Sequence, residues 1–250
     1  MLCALVLVFG PSVAGATSYS LTTYGQNVAI GDAVFHEFTI ADQTTVSAGT
    51  GVIDPFLTIQ KRGTEQGYNS DASPLVMDTT RPAWNHSLTF SQLLTGPAPF
   101  TNYFEFLLDI NEPTGGATSK FITLDKFQIY ATSTLGGAFS GTLAQLAAGS
   151  DLIYTLGSNT IRFDYGLWSG SGQNIDLGIY ILNTLFNGVD PGDNIYVYAE
   201  FGAVGYHSGD GFEEFIQRTG GTSVPEAGTL LLLGSGLVAL IGYRRMKRMV

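Results

Sequence analysis

The sequence predicts an all-β protein, an antiparallel β-sandwich or jelly roll, and three observations lead to this class. Short apolar segments alternate with clusters of Gly, Asn, Asp, Pro and Ser, the pattern of strands joined by turns. Glycine is abundant at 32 residues, and Tyr and Phe are prominent, which favours strands and tight turns over long helices. Hydrophobic residues make up 44% of the chain, enough to build a core.

The strands follow from alternating hydrophobicity. In the clearest of them Phe104, Phe106, Leu108 and Ile110 take one face and polar residues take much of the other. Each such strand presents one apolar face, as the packing of two sheets requires. The other predicted strands lie at 34–40, 53–59, 121–130, 161–167, 175–181 and 195–203.

Four segments depart from simple alternation. Pro55 indicates an edge strand or a bulge, because proline cannot donate to a sheet ladder. The alternation changes phase near Asp125 and Lys126, which predicts a β-bulge. Residues 142–148 carry apolar side chains at helical spacing and predict a short helix. Residues 61–85 are polar and rich in turn formers, which predicts a long surface excursion.

The N-terminus resembles a secretory signal peptide, predicted over residues 1–16. Residues 2–9 are continuously apolar, and Ala14, Gly15 and Ala16 supply the small residues of a cleavage site. The alternative is a buried N-terminal strand, since the positive charge usual before the apolar run is missing. The only cysteine, Cys3, lies in this segment, so the mature body has neither a disulfide nor a thiolate metal site.

The C-terminal sequence predicts a short membrane-spanning segment. Residues 227–243 are almost wholly apolar, which is short but usable for a transmembrane helix. A flexible linker at 219–223 precedes this segment, and a body at 17–218 lies before the linker. A basic stop that stays on the cytoplasmic side follows it, formed by Arg244, Arg245, Lys247 and Arg248.

Residues 224–250 resemble the PEP-CTERM sorting signal of exported bacterial proteins. Val224, Pro225 and Glu226 match the motif, although Ala227 stands where that family usually has a second proline. The resemblance implies export through the secretion machinery across the inner membrane and transient anchoring by the C-terminal helix. An integral-membrane exosortase then processes the chain for the cell surface or an extracellular polysaccharide matrix. The plain alternative is a permanent single-pass anchor.

Several body segments are also similar to a type of PEP-CTERM protein in which a sandwich-like domain precedes the tail. They lie at 108–112, 124–130, 170–176 and 211–214. This likeness implies a surface or matrix protein and supplies no catalytic residues.

The charge of the body excludes nucleic acid as a partner. Outside the two ends, seven basic side chains stand against twenty acidic ones, a balance of −13. Nucleic acid and anionic membrane surfaces both require a basic face.

Sequence motifs for catalysis are absent, so the leading interpretation is a non-enzymatic protein that requires no cofactor. The chain has no G-x-S-x-G, no phosphate-binding glycine loop and no H-E-x-x-H, and His36, His86 and His207 are isolated in sequence. A carboxylate-based glycosidase is one alternative, and it predicts an acid pair about 5 to 9 Å apart in a cleft.

The other alternative is a calcium-assisted carbohydrate-binding module. Asp109, Asn111 and Asp125 offer hard oxygen ligands for calcium, although Pro113 and Thr114 rule out an EF-hand. Residues 190–194 also cluster oxygens but are typical of a turn. Trp84 and Trp168 are candidate platforms for stacking on sugar rings.

Overall fold

The structure is a computed structural model that describes residues 15–43, 55–113, 120–168 and 174–218. The chain divides into two units, Met1–Arg218 and Thr219–Val250, and every described residue belongs to the first. Residues 1–14 of the predicted signal peptide, the linker at 219–223 and the sorting segment at 224–250 lie outside the described residues. Within the described ranges, no helix is long and apolar enough to cross a bilayer.

Fifteen strands form in the described ranges, which confirms the all-β class. The first eight are β1 Ser18–Leu21, β2 Asn27–Ile30, β3 Ala33–Glu37, β4 Pro55–Ile59, β5 Arg62–Gly63, β6 Glu65–Tyr68, β7 Leu88–Thr89 and β8 Tyr103–Asn111. The others are β9 Phe121–Thr132, β10 Asp151–Thr155, β11 Thr160–Asp164, β12 Leu177–Leu182, β13 Asn194–Phe201, β14 Ser208–Gly209 and β15 Phe212–Ile216.

Helices are short and lie between strands. The described ranges contain two α-helices, α1 Ile40–Gln43 and α2 Leu143–Ala148, and 3₁₀ turns occupy Pro82–Trp84, Phe90–Gln92 and Asn183–Phe186. Helix α2 begins at the predicted position because Thr142 and Gln145 form a capping box, in which each side chain bonds the other residue's backbone N–H. Its buried Leu146 packs with Tyr68, Tyr196 and other members of a small second cluster.

The strands form two large sheets and one small ladder. The first sheet, called sheet A, has the order β1-β11-β9-β13-β6, with β10 also paired to β9 and β7 to β13. The second sheet, called sheet B, has the order β2-β3-β12-β8-β15-β4, and β14 pairs only with β5. Every pairing is antiparallel except that of β1 with β11, which is parallel.

The core lies between sheets A and B, as expected for a sandwich. Phe127 of β9 in sheet A contacts Phe35 of β3 and Phe215 of β15, both in sheet B, with ring centroids 6.2 and 5.8 Å apart. Phe201 of β13 also contacts Phe215. The alternation predicted for β8 is correct, since Phe106, Leu108 and Ile110 all belong to this core.

Two irregularities predicted from the sequence occur in the structure. The ladder between β9 and β13 passes from Lys126 to Leu124, so Asp125 is the extra residue of a bulge. Pro55 opens β4, which is the edge strand of sheet B, and the register with β15 shifts beside it.

The surface excursion predicted for residues 61–85 is wrong. Strands β5 and β6 lie within it, and β6 pairs with β13 in sheet A. The alternation of apolar residues that predicts a strand is missing here, because the two inward positions of β6 are occupied by Glu65 and Gly67. A Cβ on Gly67 would lie 2.6 Å from Thr79 Cγ2, so glycine permits the close packing of this strand.

Other elements also differ from the sequence-based prediction. The strand expected over 34–40 ends at Glu37, and Ile40 begins helix α1, where Asp42 accepts hydrogen bonds from the backbone N–H and hydroxyl of Thr39. Strand β15, which the alternation did not reveal, lies between β8 and β4 in sheet B.

Candidate functional site

Three buried glutamates meet at one end of the sandwich, and we call them the glutamate cluster: Glu65, Glu112 and Glu213. Glu65 lies on β6 of sheet A, Glu213 on β15 of sheet B, and Glu112 directly after β8. Glu213 pairs with Ile110 and Ile59, both core residues, so its side chain points between the sheets. One carboxylate oxygen of each glutamate lies within 4.8 Å of the others.

Backbone amides hold two of these side chains in place. The N–H of Lys61 donates to Glu65 Oε2 at 2.8 Å. The N–H groups of Gly209 and Gly211 donate to Glu112 Oε2 at 2.8 and 3.3 Å. The other oxygen of each carboxylate, Oε1, has no hydrogen-bond donor, and neither oxygen of Glu213 has one.

The electrostatics of the cluster disfavour three free carboxylates. Burial raises the pKa of Glu213 well above its usual range, and the nearby Glu65 and Glu112 raise it further. Burial also raises the pKa of Glu65 to about 7, although hydrogen bonds to its carboxyl group lower this pKa. These oxygens therefore either share protons or hold a cation.

The residues predicted to bind calcium do not come together. Asp109 lies on the outer face of sheet B, where it pairs with Glu214, and Asn111 Nδ2 donates to Glu214 Oε2 at 3.2 Å. Asp125 lies in sheet A, where its Oδ2 accepts the N–H groups of Ala203 at 2.6 Å and Val204 at 3.1 Å. Because Asp109 faces away from sheet A, these carboxylates do not form one ligand set.

Asp109 belongs instead to an acidic group at the edge of β12. Asp176 precedes that strand and accepts the N–H of Ile110 at 2.8 Å through Oδ2. Burial and the charge of Asp109 raise the pKa of Asp176 well above its usual range. Burial and Asp109 likewise raise the pKa of Glu214 to about 7, against the lowering effect of Arg81.

Both tryptophans proposed as sugar platforms contact other side chains. The guanidinium of Arg81 lies 4.6 Å from the ring centroid of Trp84. Trp168 meets Tyr24 edge to face at 4.8 Å and packs against the buried cluster of Phe38, Leu107, Ile175 and Ile216. The structure places the two tryptophans in different surroundings and does not assign either to a binding site.

A cavity of about 330 Å³ opens on sheet A. Its lining residues include Tyr19, Arg162 and Tyr206, and none of them is acidic. The side chain of Tyr19 itself packs against the core. Arg162 donates to Ser20 Oγ at 2.9 Å, while its Nε is buried without a partner.

Sequence reasoning missed the glutamate cluster for identifiable reasons. Glu65 lies in a segment that the sequence predicts to be a surface loop, and Glu112 directly follows Asn111, one of the calcium ligands proposed from the sequence. Glu213 and Glu214 are neighbours on β15, so their side chains point to opposite faces of the sheet. A polar residue at an inward strand position could have indicated the cluster. The inward positions of Glu65 and Glu213 are recognisable only from the strand pairing, which the sequence alone does not give.

The sorting residues Val224, Pro225 and Glu226 and the basic stop lie outside the described residues. Neither the curated proteins nor the solved structures contain a match to this chain. Residues 223–248 match the family model of the PEP-CTERM protein-sorting motif. The match covers the Pro-Glu pair, the apolar segment and the basic stop, and it confirms the resemblance found in the sequence: this chain carries a PEP-CTERM sorting motif, as PEP-CTERM proteins do.

Proposed function

We propose that this chain is a non-enzymatic protein that is exported, held briefly in the inner membrane by its C-terminal segment, and released by an exosortase. Its β-sandwich body then stays at the cell surface or in an extracellular polysaccharide matrix. The match of residues 223–248 to the PEP-CTERM motif is the observation that carries this proposal.

The arrangement of the chain supports delivery of a folded body. The last described residues, Gln217 and Arg218, are fixed to β8, because Gln217 Nε2 donates to the Glu105 carbonyl at 3.1 Å and Arg218 bonds the Glu105 carboxylate. The sorting motif begins at residue 223, so cleavage there leaves the bonds of the body intact.

The surroundings of the acidic and basic groups support a role without catalysis. The three carboxylates of the glutamate cluster are buried, with Glu112 the most exposed at 8%, so a polymeric substrate cannot reach them. His36 bonds Asn27 and Asp42, and His86 and His207 bond backbone carbonyls. None of these bonds joins a histidine to a serine hydroxyl, as a serine–histidine catalytic pair would require.

The decisive experiment is mass spectrometry of the mature protein from its native cells. The expected product ends upstream of Val250 and has lost the apolar segment and the basic stop. In the double variant P225A/E226A the chain is expected to keep its full C-terminus and to remain in the membrane fraction. The matched control T219A alters the linker and leaves processing unchanged.

A wild-type chain that still ends at Val250 in cells with an active exosortase would refute the sorting proposal. Hydrolysis of a polysaccharide by the purified protein would refute its non-enzymatic part and leave the sorting part intact.

We propose carbohydrate binding as a second candidate function, favoured by the cavity on sheet A. Tyr206 supplies aromatic surface, and Ser18, Ser20 and Thr160 supply hydroxyl groups that can hydrogen-bond sugar oxygens. An extracellular polysaccharide is the partner that fits this chemistry and this location.

A glycan array followed by calorimetry tests this candidate. The variant Y206A is expected to weaken sugar binding at least tenfold, whereas Y24A, an exposed tyrosine outside the cavity lining, leaves it unchanged. An array without a bound glycan, or equal affinity in Y206A and wild type, would reject the cavity as a sugar site.

A further inference from the structure

We propose that Glu65, Glu112 and Glu213 form a structural calcium site that links sheet A to sheet B. The site differs from the ligand set that the sequence suggested, and it is independent of the sorting function.

The spacing of the oxygens matches a single ion. Calcium binds oxygen at about 2.3–2.6 Å, so two oxygens on opposite sides of one ion are at most roughly 5 Å apart. One oxygen from each glutamate lies within 4.8 Å of the other two. The four oxygens without a donor, two of them from Glu213, supply at least half of the roughly six to eight ligands that calcium takes.

The free oxygens are an independent sign of a ligand. Glu213 is fully buried, and neither of its oxygens has a hydrogen-bond donor. Glu65 is also fully buried, and its Oε1 has no hydrogen-bond donor. The Oε1 of Glu112, which is 8% exposed, has no donor either. Buried polar atoms nearly always have partners, so four free oxygens facing one another require an explanation that a cation supplies.

No cationic side chain compensates this negative charge within the described residues. The ion pairs found there involve Asp42, Asp78, Asp164, Glu200 and Glu105, and none involves the glutamate cluster. Lys61 contributes its backbone N–H to Glu65, while its ammonium group pairs with Asp78. Isolated carboxylates are not stable at this depth in the charged form.

Strand β14 and the turn that follows it are shaped around Glu112. A Cβ on Gly209 would lie 2.9 Å from Glu112 Oε2, and a Cβ on Gly211 would lie 2.6 Å from Glu112 Cα. The two glycines therefore allow their N–H groups to approach one oxygen of Glu112, which orients the other toward Glu65 and Glu213. Orientation of first-shell ligands by such hydrogen bonds is typical of metal sites.

The ligand chemistry selects calcium. All three side chains offer hard oxygen atoms, and neither histidine nor cysteine belongs to the group, which disfavours zinc and copper. Magnesium demands octahedral geometry at about 2.0–2.1 Å and keeps several waters, which suits a buried set of three glutamates poorly. An ion at this position ties the edge strand β6 of sheet A to β15 and the end of β8 in sheet B.

Calorimetric titration of the full-length chain in detergent, after treatment with a chelator, tests the proposal. We expect one calcium ion per chain, and a melting temperature about 5–10 °C higher at a hundredfold excess of calcium over its dissociation constant. Magnesium is titrated in parallel and is expected to bind at least tenfold more weakly.

Two variants locate the ion. E213Q keeps the size of the side chain and removes one charge, and it is expected to weaken calcium binding at least a hundredfold. E214Q is the matched control, because Glu214 is the next residue on β15, is also buried, and faces away from the cluster. E112Q repeats the test on another strand if E213Q does not fold.

The wild-type titration decides the proposal whatever the variants do. A chelated chain that binds no calcium and melts at the same temperature with and without it would overturn the site, leaving shared protons as the occupants. Calcium binding that persists in both E213Q and E112Q would place the ion elsewhere. Equal affinity for magnesium would overturn the assignment of calcium.

Discussion

Arg218, the last described residue, forms a bidentate ion pair with Glu105. The Nε of Arg218 lies 2.7 Å from Glu105 Oε2, and its Nη2 lies 3.0 Å from Oε1. Glu105 is fully buried, although it lies on the outer face of β8. The last residue before the linker is thus held to a central strand of sheet B.

Removing one partner of this pair should be costly. R218A leaves a buried carboxylate without its counter-ion, and we expect the free energy of unfolding to fall by about 3–5 kcal/mol. The control K126A breaks a more exposed pair with Glu200 and should cost about 0–1 kcal/mol. Chemical denaturation measures both, and E105Q added to R218A should recover part of the loss. Equal losses in R218A and K126A would contradict the prediction.

Glu37 should make stability depend on pH. It is buried at the end of β3, and burial with the nearby Asp164 raises its pKa to about 9. Between about pH 5 and 9 the folded protein keeps this proton while the unfolded chain has released it, so stability falls as pH rises. E37Q lacks this titrating group, so its stability does not fall for this reason. As pH rises, the unfolding free energy of E37Q minus that of wild type should increase by up to about 1.4 kcal/mol per pH unit.

Urea titrations between pH 6 and 8, with a chelator present, measure this difference. The comparison with E37Q measures the contribution of Glu37 together with its effect on Asp176, whose pKa the charge of Glu37 also raises. Parallel pH profiles for the two proteins would contradict the raised pKa.

Phe127 should be a main anchor between the sheets. It is fully buried and contacts Phe35 and Phe215 of sheet B and Tyr154 of β10. F127A leaves a cavity, and we expect it to lower the free energy of unfolding by about 3–5 kcal/mol. The control L152A removes an exposed side chain of β10 and should change it by less than about 0.5 kcal/mol. Similar values for the two variants would argue against this packing.

Gly211 should be intolerant of a side chain. A Cβ at this position would overlap the carbonyl oxygen of Asn111, which belongs to a central strand and cannot move freely. We expect G211A to lower the free energy of unfolding by about 1–3 kcal/mol. G192A is the control, because a Cβ there would contact nothing within 4 Å. Thermal unfolding compares the two, and a G211A protein as stable as G192A would show that the loop can rearrange.

The sequence by itself determined the class of the fold, several strands and the sorting motif. Strands such as β8 and β13 were visible because apolar residues recur at every second position, and this local pattern needs no knowledge of pairing. The helical spacing of apolar residues at 142–148 and the phase change near Asp125 were also local signals. The sorting motif was recognisable because its parts are contiguous in the chain.

Only the tertiary structure decided which polar residues meet. Glu65, Glu112 and Glu213 come from three distant parts of the chain, and strand pairing together with sheet packing brings their oxygens within 4.8 Å. Asp109 and Asp125, which are closer in sequence, lie in different sheets. Proximity in a sandwich depends on the order and register of its strands, which alternation within one strand does not encode.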